Sequence, residues 1–158
     1  MLKVRNEKGF TLVELVCVIA LLGIIVLIAT PALADFGKKR NLELAARGMA
    51  IDIRAAQQKA ITTGWSHLIE MRTYEDDYRI KDGKSGQTKT VKLSLGVSYR
   101  SNNFPLKDGY RLLYFSRTGA PNSGGTVSLT NDSGDVLYII VTPATGRVRI
   151  DDKPPASW

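Results

Sequence analysis

The chain has 158 residues, of which 44% are hydrophobic and 23% charged, with a formal net charge of +7. One cysteine and one histidine leave no disulfide framework and no ligand set for a zinc site, and the length allows one soluble domain once the first third is assigned to a helix. The basic balance suits anionic partners such as DNA or lipid head groups, and is equally a solubility device.

The N-terminal run Gly9-Phe10-Thr11-Leu12-Val13-Glu14 leads into uninterrupted apolar sequence from Leu15 to Ala34. The segment 10–34, about 25 residues, is long enough for a helix crossing a bilayer, which takes roughly 20. A single carboxylate near its start, Glu14, costs at least a few kcal/mol in hydrocarbon, so it calls for a specific partner in the membrane or in an assembly. Pro31 lacks an N–H and its ring crowds the Leu27 carbonyl, which predicts a kink or local melting there. Cys17, inside the apolar run, reads as a small packing residue.

Two bland readings compete for this segment. Lys3, Arg5 and Lys8 followed by an apolar stretch and by Ala32-Leu33-Ala34 before Asp35 have the form of a secretory signal. The stretch is nevertheless longer than the roughly 7–15 apolar residues of such signals, and Glu14 interrupts its start. The other is a plain signal anchor with Glu14 at the interface.

The run Gly9 to Glu14, behind a short basic leader, resembles the processing site of type IV prepilins and type II secretion pseudopilins. The resemblance implies removal of residues 1–9 by a membrane peptidase that cuts between Gly9 and Phe10 and methylates the new amino terminus. It also implies assembly with other pilin or pseudopilin subunits, in which Glu14 pairs with a neighbour's terminal amine. The leader carries a net +2, which leaves +5 on the chain from Phe10 onward. Pilins resembling this chain carry a proline at the position of Pro31, so Glu14 and Pro31 are the expected assembly residues.

After Lys38-Lys39-Arg40 the pattern becomes amphipathic. Leu42, Ala46, Met49, Ile53, Ala56 and Ala60 alternate spacings of four and three, one face of a helix over 35–64 with Gly64 as its C-terminal stop. A helix from Phe10 to Thr63 would be on the order of 80 Å long. From 65 to 158 the texture is that of short strands. The candidates are Trp65 to Tyr74, Tyr78 to Lys81, Thr88 to Tyr99, Tyr110 to Phe115, Thr126 to Leu129, Val136 to Val141 and Arg147 to Ile150. Turn pairs such as Asp82-Gly83, Asp108-Gly109 and Thr145-Gly146 separate them. The expected fold is α+β: a long N-terminal helix, apolar and then amphipathic, packed on a β-rich, sandwich-like head that ends in an irregular tail.

Phe115-Ser116-Arg117-Thr118-Gly119, Gly125 to Leu129, Ile140-Val141-Thr142 and Gly146-Arg147-Val148-Arg149 resemble the C-terminal region of the GspH/FimT pseudopilin family. No catalytic constellation is present in the sequence. Asp76-Asp77 and Asp151-Asp152 are adjacent, so strand geometry points their side chains apart, and they read as solvated turns. His67 reads as structural. No cofactor is expected, and the chain reads as the substrate of an enzyme and not as one. Arg147 and Arg149 alternate on a strand and share a face, where two guanidinium groups suit successive phosphates. The resemblance implies a DNA contact here, since a similar Gly-Arg-x-Arg motif is implicated in DNA binding in FimT-type minor pilins; related secretion pseudopilins can carry the same Gly-Arg turn, and a tight turn before a charge-guarded edge strand is the favoured reading of the pattern.

The expected role is that of a minor pilin or pseudopilin of a type II secretion or type IV pilus filament, at or near its tip. The chain is expected to lie in the cytoplasmic membrane before assembly, with its head outside the cytoplasm. The alternatives are a DNA-binding minor pilin for natural transformation and a secreted β-domain released by signal peptidase.

Overall fold

The computed structural model describes residues 9–155, with the side chains of 29–32 and 34 excepted. The chain divides into two compact units, Met1–Phe36 and Gly37–Trp158. The helix α1 (Leu12–Thr63) contributes to both. Its assignment is unbroken through Pro31, so the local melting expected there is not observed; the Pro31 side chain lies outside the described residues.

In the second unit the helix packs by the stripe read from the sequence. Leu42, Ala46, Met49, Ile53, Ala56 and Ala60 are all at most 1% exposed. Ala45 and Ala50 widen the buried face, and their small side chains let the backbone approach the sheets closely. The helix stops at Gly64, whose N–H still donates to the Ala60 carbonyl at 3.1 Å while its φ of +68° turns the chain into the left-handed region.

Among the described residues nine strands follow: β1 (His67–Arg72), β2 (Asp77–Asp82), β3 (Thr88–Lys92), β4 (Val97–Asn102), β5 (Leu106–Lys107), β6 (Tyr110–Phe115), β7 (Gly125–Asn131), β8 (Val136–Val141) and β9 (Val148–Asp151). They form two antiparallel sheets, one of order β3-β2-β1-β6-β5 and one of order β4-β7-β8-β9. Period-two alternation sets the inner faces. Ile69, Met71, Leu113 and Phe115 enter the core from the first sheet, and Val97, Val127, Leu129, Ile139, Val141 and Val148 enter it from the second. Together with the helix stripe they form one hydrophobic cluster.

Two expectations need correction, and one strand is additional. Thr88 to Tyr99 is not one strand but two: the chain leaves the first sheet after Lys92 and joins the second at Val97, turning through Gly96 at φ +74°. Leu106–Lys107 lies outside every candidate strand of the sequence. It is a two-residue strand, exposed throughout, that exists because Asp108 and Gly109, both at positive φ, close a tight hairpin onto β6. Asp77 is not solvated. It is 2% exposed and accepts a bidentate pair from the Arg72 guanidinium across β1 and β2. Its neighbour Asp76 turns the chain at φ +49° and accepts the Tyr99 N–H at 3.1 Å, while the Tyr99 hydroxyl donates to the Asp77 carbonyl, so this turn stitches the two sheets together.

Candidate functional site

Gly9 and Phe10 are exposed and lie ahead of the helix, and nothing stands within 4 Å of a Cβ placed on Gly9. Thr11 is the cap of α1: its hydroxyl accepts the Glu14 N–H at 3.2 Å and its carbonyl accepts the Leu15 N–H at 3.2 Å. Glu14 is thus the third helical residue, exposed, and its carboxylate sits at the positive end of the helix dipole. The Thr-x-x-Glu spacing of a capping box is the sequence signal for this cap, and it is missed when Glu14 is read only as a charge in an apolar run.

From Leu12 at 79% to Ile28 at 72%, every large apolar side chain of this stretch of the helix is exposed. Such a surface requires lipid or other helices to cover it. Among the described residues no helix is long and apolar enough to cross a membrane. The span expected over 10–34 includes 29–32 and 34, whose side chains lie outside the described residues.

In the head, Arg147 and Arg149 are exposed and flank Val148, which is 5% exposed, so the two guanidinium groups leave the strand on the same side. Strand β9 is an edge of its sheet. Arg54 of α1 donates to the Val148 carbonyl at 2.9 Å, which brings a third arginine to that edge and occupies one of its open acceptors. Two residues on, Asp151 shares the side of Arg149, so the positive charge is strongest toward the turn that carries Arg147.

That turn is held from the helix. The Gln57 amide nitrogen donates to both the Thr145 and the Gly119 carbonyls at 2.9 Å, making neighbours of the turns before β9 and after β6. Gly146 has φ +65°, and a Cβ there would meet Gln57 Nε2 at 2.6 Å and Phe115 Cε1 at 3.1 Å, so the motif glycine is required by packing. Arg54 and Gln57 carry no signal in the sequence beyond lying off the apolar stripe.

The remaining titratable clusters are structural. His67 is 1% exposed, with Nδ1 3.0 Å from the Trp65 carbonyl and Nε2 3.4 Å from Asp82. Backbone N–H groups of Ser85 and Lys84 hold the Asp82 carboxyl well below its ordinary value, at about 2. Burial, reinforced by the bond to Asp52 at 2.6 Å, pushes the Tyr78 phenol above the normal range. Among the described residues no group of histidine, cysteine and acidic side chains could hold a metal ion.

Comparison with known proteins places these features. Residues 4–30, a stretch containing Gly9, Phe10 and Glu14, match the family described as the prokaryotic N-terminal methylation motif. The competence protein ComGD of Bacillus subtilis is 27% identical over 153 residues, which cover 96% of this chain and 99% of that protein. The fold is similar to that of the type IV minor pilin FimU of Pseudomonas aeruginosa, with a TM-score of 0.58 at 14% identity over 77% of this chain and 98% of that one. It is also similar to the minor pseudopilin EpsH of the Vibrio cholerae type 2 secretion system, with a TM-score of 0.55 at 12% identity over 70% of this chain and 95% of that one.

Proposed function

We propose that the chain is a type IV pilin-like subunit of the minor pilin and pseudopilin kind, supported by the methylation-motif match, the likeness to ComGD and the fold shared with FimU and EpsH. A prepilin peptidase cuts between Gly9 and Phe10 and methylates the new terminus. The segment 10–34 holds the protein in the cytoplasmic membrane, with the head outside the cytoplasm, until the subunit enters a type II secretion or type IV pilus filament at or near its tip. The observation that carries this reading is the methylation-motif match over residues 4–30, combined with the capped helix start at Thr11.

Cleavage leaves an amine one residue ahead of the Thr11 cap, and Glu14 stands one turn further along, exposed. Stacked subunits can therefore join one terminal amine to another's Glu14. In an apolar filament core each charge compensates the other, and removing one partner of such a buried pair costs roughly 3–5 kcal/mol. The pair would set axial register. Pro31 is proposed as the second assembly residue. Co-expression with a prepilin peptidase should give an amino terminus at Phe10 bearing one methyl group, and Gly9→Val should leave the full-length precursor. An amino terminus at Asp35 would overturn the proposal in favour of a signal-peptide product.

A second reading, DNA capture by the head for natural transformation, is favoured by the shared exposure of Arg147 and Arg149. It is supported by likeness to a competence protein over nearly the whole of both chains. A subunit can serve both roles, since one uses the helix and the other the head.

A further inference from the structure

The outer surface of the head carries two exposed rings in one place, beside the end of α1. Trp65 is 54% exposed and Tyr114 44%, and both line an open hollow of about 400 Å³ together with Gly64, Ser66, Ser116 and Arg117. The core does not use these rings, because its contributions from β1 and β6 come from Ile69, Met71, Leu113 and Phe115. Their backbones are nevertheless fixed. The Trp65 carbonyl faces buried His67 at 3.0 Å, the Tyr114 N–H donates to Asn122 Oδ1 at 3.0 Å, and the Tyr114 carbonyl accepts the Asn122 N–H at 2.9 Å. A bulky ring left open on a rigid frame is a recognition feature more than a packing one.

The chemistry around the rings narrows the ligand. The C-terminal end of α1 lies at Gly64, and its partial negative charge disfavours an anion inside the hollow while favouring a neutral group with hydrogen-bond donors. The lining also carries the opposite charge: Arg117 lines the hollow, and the Gln57 clip sets the Arg117 turn against the turn that carries Arg147. A flat neutral ring with amino or imino donors, attached to a chain of anions, satisfies both halves. A paired duplex does not, because its ring faces are already stacked. We propose that the Trp65–Tyr114 hollow receives an unpaired base of a single-stranded nucleic acid, with the flanking phosphates held by Arg117 and Arg147.

This site deepens the DNA-capture reading and rests on it, and the test separates the two. The full chain is purified in detergent micelles with Trp158→Phe, so that Trp65 is the only fluorescent indole. It is titrated with a thymidine oligonucleotide, the matching duplex, inorganic polyphosphate and a neutral glucan. The oligonucleotide should quench Trp65, whereas polyphosphate should bind without quenching. Trp65→Ala, read by anisotropy of labelled DNA, and Tyr114→Ala should each weaken single-strand binding by at least ~5-fold, with duplex binding changed less than about 2-fold. Trp65→Phe, which keeps a ring, should retain single-strand binding to within about 3-fold and guards against a folding artefact. Arg117→Gln should reduce the salt slope for single strands by about 0.7. Equal binding of single strands and duplex, unchanged by the aromatic variants, would overturn the hollow site while leaving DNA capture intact. Quenching by the glucan at lower concentration than by the oligonucleotide would reassign the hollow to a sugar. Absence of binding to either DNA at low ionic strength would overturn both readings.

Discussion

The Gln57 side-chain amide donates to the Thr145 carbonyl at 2.9 Å, so a helix residue fixes the turn that presents Arg147. The same nitrogen reaches Gly119, and no other described side chain bonds to both turns. Gln57→Ala should cost about 1–3 kcal/mol, since two carbonyls lose their partner. Amide exchange should quicken at 116–119 and 142–147 and stay unchanged in β1 and β2. Gly146→Ala should cost about 1–2 kcal/mol from its left-handed backbone alone, and more from the clash with Gln57. The double variant should be less destabilised than the sum of the singles, because removing the Gln57 side chain relieves that clash. Strict additivity would show that the two positions do not meet.

Asp82 supplies an acid-stability test. Its carboxyl, ordinarily near 3.8, is held at about 2 in the folded chain by the Ser85 and Lys84 backbone N–H groups. A depressed carboxyl stabilises the fold above its unfolded value, and that contribution disappears as pH falls through the folded one. Urea midpoints of the native chain should therefore drop between pH about 4 and about 2 more steeply than those of Asp82→Asn. The two proteins should differ little in steepness above pH about 5. Parallel curves in the acid range would show that the turn after β2 does not depend on this carboxylate.

Glu14 separates membrane insertion from assembly. Glu14→Leu removes a charge from an apolar segment, so insertion should be retained or improved. Entry into filaments, measured as the share recovered in sheared fractions, should fall severely, and Glu14→Asp should fall between the two. Because Glu14 also stands at the third helical position, Glu14→Gln is the needed control: it retains the side-chain length and loses the charge. Equal incorporation of all four forms would show that the carboxylate takes no part in assembly.

For duplex DNA, Arg147→Gln with Arg149→Gln should lower both affinity and salt dependence. Each phosphate that the variant no longer neutralises should reduce the log–log slope by about one. Arg54→Gln removes the donor to the Val148 carbonyl and should add a loss of stability that the other two changes do not produce. Identical salt slopes before and after the double change would identify Gly146 to Arg149 as a turn and guarded edge strand only.

Local patterns were legible in the sequence wherever the responsible forces act over a few residues. The buried helix stripe follows from the 3.6-residue period, and Leu42 through Ala60 all lie where that period places them. The motif from Gly9 to Glu14 is likewise contiguous. Local sequence and structure part where neighbours in space decide. Thr88 to Tyr99 keeps a strand-like texture across Leu93 to Gly96, and only the existence of two sheets breaks it. Asp77 looks like a turn residue until Arg72, five positions earlier, closes on it across a hairpin.

The sequence by itself determined a leader-like start, an apolar helix with one carboxylate, an amphipathic continuation and a strand-rich remainder, because periodicity and turn chemistry are written in adjacent residues. Only the tertiary structure decided that Arg117 and Arg147 occupy neighbouring turns and that Trp65 and Tyr114 share a hollow. The Gln57 bonds that join the turns span 62 and 88 residues of chain. Such pairings are selected by the packing of helix against both sheets at once, a competition among distant surfaces that no local stretch of sequence records.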